Sequence, residues 1–207
     1  VMVVYGRKRK TPDGKMVAYS TGAPGERRIY VQQVTGGRAV ALTTDLPGDH
    51  GWPRWAPDGS RIAFDVGGAV YIVPALGGTP KQFAEGYRGG MSTPVWSPNG
   101  KQIAYAEVRG IAVKDVDGGT ARLLVEGTPV STPEWSPDGR SLVYTRGYRA
   151  TLTNVGATSL WIIPAAGGTA RQLMTEVSMN VSPAWAPDGR SFFFVSNRDG
   201  TSDVYRQ

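Results

Sequence analysis

The decapeptide WSPDGRSLVY (135–144) occurs again as WAPDGSRIAF (55–64), WSPNGKQIAY (96–105) and WAPDGRSFFF (185–194), with a tryptophan-free copy, KTPDGKMVAY, at 10–19. Its prolines, at 12, 57, 98, 137 and 187, recur every 39–50 residues. Self-similarity at that period restricts the chain to a repeat architecture, in which each unit buries its apolar face against its neighbours.

The chemistry of one copy points to a hairpin. Proline fixes φ, an Asx side chain bonds the backbone two residues on, and glycine accepts positive φ, so Pro-Asp/Asn-Gly reads as a tight turn. Asp13, Asp58, Asn99, Asp138 and Asp188 therefore read as turn residues. The segment after each turn is short and rich in β-branched and aromatic residues, as a strand is. Trp55, Trp96, Trp135 and Trp185 end the strand before it and read as core residues.

A second mark shares the period. Gly-Gly stands at 36–37, 77–78, 118–119 and 167–168, six residues after Tyr30, Tyr71, Ala112 and Trp161. Paired glycines suit the positive-φ positions of a type I′ hairpin turn. Each unit is then four strands, and four-stranded antiparallel units at this period make β-propeller blades. The expected fold is an all-β propeller in one domain, with blades near 11–45, 52–87, 91–128, 130–177 and 181–207. Repeat four carries an insertion at 148–159. The fifth unit has no Gly-Gly and no fourth strand, so Val1–Tyr5 is the candidate to close the ring. The alternative is a fragment of a propeller with six or more blades.

Composition narrows the function. Four of the positive charges behind the net +6 sit together at Arg7-Lys8-Arg9-Lys10. The remaining charges nearly balance, which speaks against nucleic-acid binding over a broad basic face. No apolar run approaches the length of a membrane span. Without cysteine there is neither a disulfide nor a thiolate site. The one histidine, His50, rules out paired imidazoles, and no G-x-S-x-G elbow is present. Asn197, Asp199 and Asp203 fall short of a calcium loop and read as a hairpin turn, so no metal or cofactor is expected. Glu134 is a candidate carboxylate for glycoside hydrolysis, a chemistry that needs a facing partner.

The pattern P-x-W-[SA]-P-[DN]-G-x-x-hydrophobic-[AVF]-[FY], at 53–64, 94–105, 133–144 and 183–194, resembles the TolB-like β-propeller repeat, a Pro-Asp relative of the Trp-Asp repeat. The resemblance implies a propeller that binds, gates or scaffolds. Such domains occur in the periplasm, beside prolyl-oligopeptidase-type catalytic domains and as extracytoplasmic sensors of bacterial kinases. The expected function is non-enzymatic binding of a protein or peptide at one end of the channel, outside the cytoplasm. Recognition usually sits on loops carried by a rigid scaffold. The loops entering the inner strands offer Asp49, His50, Gly51, Arg88, Met91, Ser131 and Asn180 as partner-facing residues. A gating or sensor domain of a larger peptidase or kinase is the alternative, with an autonomous glycosidase third.

Overall fold

The computed structural model describes residues 4–88, 90–127, 129–147, 158–174 and 178–207, with side chains from Lys8 onward. Its described residues form a five-bladed β-propeller with no helix. Blade one holds β1 (Val4–Lys10), β2 (Met16–Thr21), β3 (Arg28–Gln33) and β4 (Val40–Ala41). Blade two holds β5 (His50–Trp55), β6 (Arg61–Val66), β7 (Ala69–Pro74) and β8 (Lys81–Ala84). Blade three runs through β9 (Val95–Trp96), β10 (Gln102–Glu107), β11 (Gly110–Asp115) and β12 (Arg122–Glu126). Blade four comprises β13 (Val130–Trp135), β14 (Ser141–Arg146), β15 (Ser159–Pro164) and β16 (Arg171–Gln172). Blade five has β17 (Asn180–Trp185), β18 (Phe192–Ser196) and β19 (Asp203–Arg206). Every neighbouring pair within a blade is antiparallel.

The turns repeat almost atom for atom. Gly14, Gly59, Gly100, Gly139 and Gly189 have φ of 66–72°. The Asx oxygen accepts the N–H two residues on at 2.9–3.0 Å in all five copies. In three copies the hydroxyl of Thr11, Ser97 or Ser136 also donates to that oxygen. These bonds favour the ionised form and hold the carboxyls of Asp13, Asp58 and Asp138 below the usual range. The Gly-Gly pairs do have positive φ. They follow their turns instead of forming the centres, because Gly36, Gly77, Gly118 and Gly167 each close a turn onto the carbonyl three residues back.

The tryptophans join blade to blade. The indole N–H of Trp55, Trp96, Trp135 and Trp185 donates to the backbone carbonyl of Arg9, Arg54, Val95 and Glu134, each on the inner strand of the preceding blade. Four buried clusters match these four joints. One sets Ala18, Ile29 and Val31 against Trp55, Ile62 and Phe64, and another sets Val95, Ala104 and Ile111 against Trp135, Leu142 and Tyr144. The other two join blade two to three and blade four to five. Among the described residues no such cluster joins blade five to blade one, where Lys10 stands in the tryptophan position.

Blade one begins earlier than residue 11. Val4 and Tyr5 pair with Thr21 and Ser20 as part of the inner strand, and so do not lie beside β19. Val1–Val3 lie outside the described residues, as does most of the insertion in repeat four.

Candidate binding site at the channel mouth

Three of the residues just before a tryptophan position, Arg9, Arg54 and Glu134, meet across the axis. Arg54 of blade two and Arg9 of blade one both reach Glu134 of blade four, the second at 3.8 Å. Contacts between blades that are not neighbours must cross the channel. Glu134 is thus held by guanidiniums, not faced by a second carboxylate.

Nearer the mouth, the inner strands of blades one, two, four and five carry a β-bulge, after Tyr5, Gly51, Ser131 and Val181. Trp52, Thr132 and Ser182, at the bulges of blades two, four and five, have φ of 48–56°, and Thr93 of blade three has 41°. All four precede the proline of P-x-W. Left-handed φ at non-glycine residues costs of order 1–3 kcal/mol each and persists where surrounding structure imposes it. Four such residues ring this end of the channel.

Two cavities open there, about 250 and 200 Å³ in volume, and share Gly90 and Met91. The first reaches Asp49, His50, Gly51, Trp52 and Arg27, and the second Tyr87, Thr93, Ser131 and Thr132. The indole N–H of Trp52 meets the Met91 sulfur at 3.0 Å and bridges them. A larger cleft, about 470 Å³, lies at the opposite end of the blades, between the Pro-Asp-Gly turns of blades one and two.

Five of the seven sequence-derived residues come together at the two cavities: Asp49, His50, Gly51, Met91 and Ser131. Arg88 stands apart on the surface, paired with Glu85. Asn180 is fully buried, its side-chain amide donating to the Thr158 and Ser178 carbonyls. His50 is likewise fully buried, with Nδ1 2.6 Å from the Thr43 hydroxyl, so neither offers a partner side-chain surface. The reason lies next door. The Asp49 carboxylate accepts the N–H groups of Gly25 and Arg27 and pairs with the Arg27 guanidinium, drawing the loop onto blade one. Trp52, Tyr87, Thr93 and Thr132 were not singled out by sequence reasoning. For Trp52, Thr93 and Thr132 the signal was the position before the P-x-W proline; Tyr87 carried none.

Two buried titratable groups sit by the first cavity. Burial pushes the Asp65 carboxyl up, against the N–H bonds it accepts from Ser92 and Gly68. Burial, aided by the Arg28 cation, pushes the His50 imidazole down. Its folded pKa lies below the unfolded value, so its contribution to stability is complete above about pH 6.5 and fades as pH falls through the folded pKa. His50→Asn, which installs the residue that blade five carries at the same register, should flatten the loss of thermal stability as pH falls below about 6.5. Melting curves of both proteins across that range check it. Parallel profiles would remove His50 as the cause.

Among the described residues, no three of His, Asp or Glu gather to hold a metal ion, and no helix is long and apolar enough to cross a membrane.

A search of curated protein sequences gave no significant match. The chain covers 52% of TolB from Acinetobacter baumannii with all of its own length, at TM-score 0.79 and 20% identity. It covers 76% of a protein assigned as TolB in Agrobacterium tumefaciens, again with all of its own length, at TM-score 0.74 and 24% identity. An oligogalacturonate lyase from Vibrio parahaemolyticus shares the fold at TM-score 0.74 and 16% identity, over 99% of this chain and 66% of that one. The profile of the TolB beta propeller domain matches residues 8–152 and 93–207. On that match, the chain belongs to the TolB β-propeller family.

Proposed function

We propose that this propeller is a non-enzymatic scaffold that binds a protein or peptide across the channel mouth, in an extracytoplasmic, periplasmic setting. The observation that carries the reading is the pair of adjoining cavities spanning the inner-strand loops, with exposed Met91 and half-buried Trp52 at their junction. An aromatic and a methionine ringed by polar rims is the composition of an interface core. Membership in the TolB family favours recognition of a protein over turnover of a substrate. A gating or sensor role within a larger peptidase or kinase would use the same mouth. Hydrolysis of a glycoside at Glu134 is not favoured, since its carboxylate is engaged by Arg54 and Arg9.

Capture from a cell-envelope extract tests the reading. Met91→Lys should weaken retention of a bound protein about tenfold, the loss of one well-packed contact. Leu76→Lys, in the cleft at the opposite end, should leave it unchanged. Arg88→Ala distinguishes the narrow site from the wider rim: unchanged capture confines the site to the cavities. Equal behaviour of the two lysine variants would refute a mouth-centred site.

A further inference from the structure

The end of the propeller opposite the mouth repeats one cleft, and its copies differ in what fills them. Successive Pro-Asx-Gly turns stack, so that a Cβ on Gly59, Gly100, Gly139 or Gly189 would meet the proline of the preceding turn at 3.6–4.0 Å. Beside the first stacked pair lies the cleft of about 470 Å³, and beside the second an equivalent one of about 440 Å³. Asp13, Met16, Ser60 and Leu76 in the first stand where Asp58, Arg61, Lys101 and Asp117 stand in the second.

The second cleft has cations of its own. The Arg61 guanidinium lies over the Trp96 ring, 5.1 Å from its centre, and screens that indole from the cleft. Lys101 adds another positive charge, against the carboxylates of Asp58 and Asp117. In the first cleft methionine replaces that arginine, serine the lysine and leucine the aspartate. Trp55 now lines the cleft, with Pro12, Met16, Pro74 and the 96% exposed Leu76 as apolar walls.

The charge that remains there is negative. Asp13 and Asp58 flank the first cleft, and no lysine or arginine lines it. Turn hydrogen bonds hold both carboxyls below the usual range, so both are ionised at neutral pH. Lys15 comes to 3.7 Å from Asp13, but its side chain is 82% exposed, and a pair of that kind contributes little. Arg61, whose charge also acts on Asp58, is engaged over Trp96 in the next joint. The first cleft therefore offers an indole and two carboxylates, as the second does, without an arginine of its own.

We propose that the cleft between the first two Pro-Asp-Gly turns is a docking site for an arginine of a partner polypeptide, seated against Trp55 between Asp13 and Asp58. Apolar residues flanking that arginine rest on Leu76 and Pro74. A guanidinium suits the site better than an ammonium, because it is planar, stacks on aromatic faces and is weakly hydrated. Ligand-seating pockets run from about 300 to 1,000 Å³, so the cleft has room for the side chain and its neighbours. The site does not depend on what binds at the mouth.

Two blocked tripeptides test this: Leu-Arg-Leu, and its twin with citrulline, which keeps the shape and loses the charge. Titration into the isotopically labelled chain reads affinity, and the Trp55 indole N–H, fixed on the Arg9 carbonyl, reads the place. The arginine peptide should shift that resonance and bind about tenfold more tightly than the citrulline peptide. Asp13→Asn and Asp58→Asn should each weaken it about two- to fivefold. Both variants keep the turn, since Asn99 makes the same one with its side-chain oxygen 3.0 Å from the Lys101 N–H. Met16→Arg, which installs the side chain that blade two carries at that register, should fill the cleft from within and weaken binding about tenfold or more. Met91→Lys, at the mouth, should change nothing. No shift at Trp55 with either peptide, equal affinity for the two, or binding indifferent to Met16→Arg overturns the proposal. So does a doubled sedimenting mass that Met16→Arg returns to one chain, which would make the occupant a second copy.

Discussion

Trp135→Ala should lower stability by about 3–5 kcal/mol, the range for removing a buried tryptophan. For a chain of this size that corresponds to roughly 10 °C in melting temperature. Trp135 is 8% exposed, lies in the cluster joining blades three and four, and donates at 3.3 Å to the carbonyl of Val95, itself 3% exposed. The loss has two parts. Most comes from the volume vacated within the cluster that joins the two sheets. A smaller part, about 1 kcal/mol, is the hydrogen bond. Trp135→Phe keeps much of the volume and isolates the second part, so it should cost far less than Trp135→Ala. Trp185→Ala should cost about half as much as Trp135→Ala, because Trp185 is only half-buried and its indole bond is longer, at 3.4 Å. Urea unfolding followed by circular dichroism measures all three. Equal losses for Trp135→Ala and Trp185→Ala would mean that the joints are not graded by burial.

The tryptophan joints were legible before any coordinates, and the reason is local. A turn made of Pro, Asx and Gly has one geometry wherever it occurs, and a period near forty residues places each copy beside the last. The mouth was legible only in outline. Nothing short-range in GDHGW tells that Asp49 will bond blade one and bury His50, since its partners Gly25 and Arg27 lie 24 and 22 residues away. The left-handed φ of Trp52, Thr93, Thr132 and Ser182 was hidden for a different reason. A residue before proline is ordinarily extended, so local preference pointed away from what the inner strands impose. The pairing of Arg54 with Glu134 spans 80 residues. In retrospect it follows from register: Arg9, Arg54 and Glu134 each precede the tryptophan position of their blade, and that shared level brings them together across the channel.

That cluster carries the second large effect. Glu134→Gln should cost about 2 kcal/mol, because it leaves the Arg9 and Arg54 guanidiniums near one another without their shared carboxylate. The figure falls below the 3–5 kcal/mol of a wholly buried pair because the three side chains keep 16–28% exposure. Arg54→Gln alone removes the closer cation and leaves Glu134 to Arg9 at 3.8 Å, so it should cost less. The double variant should recover part of the sum, with a coupling of about 1–2 kcal/mol between the two sites. A carboxylate whose work is electrostatic bracing across the axis must show this coupling. A carboxylate kept for catalysis would not depend on Arg54 in this way, and its loss would appear in turnover of an oligosaccharide instead of in the unfolding midpoint. Strict additivity of the two single variants would show that Glu134 and Arg54 meet without stabilising the ring, and would return Glu134 to the list of candidate reacting groups.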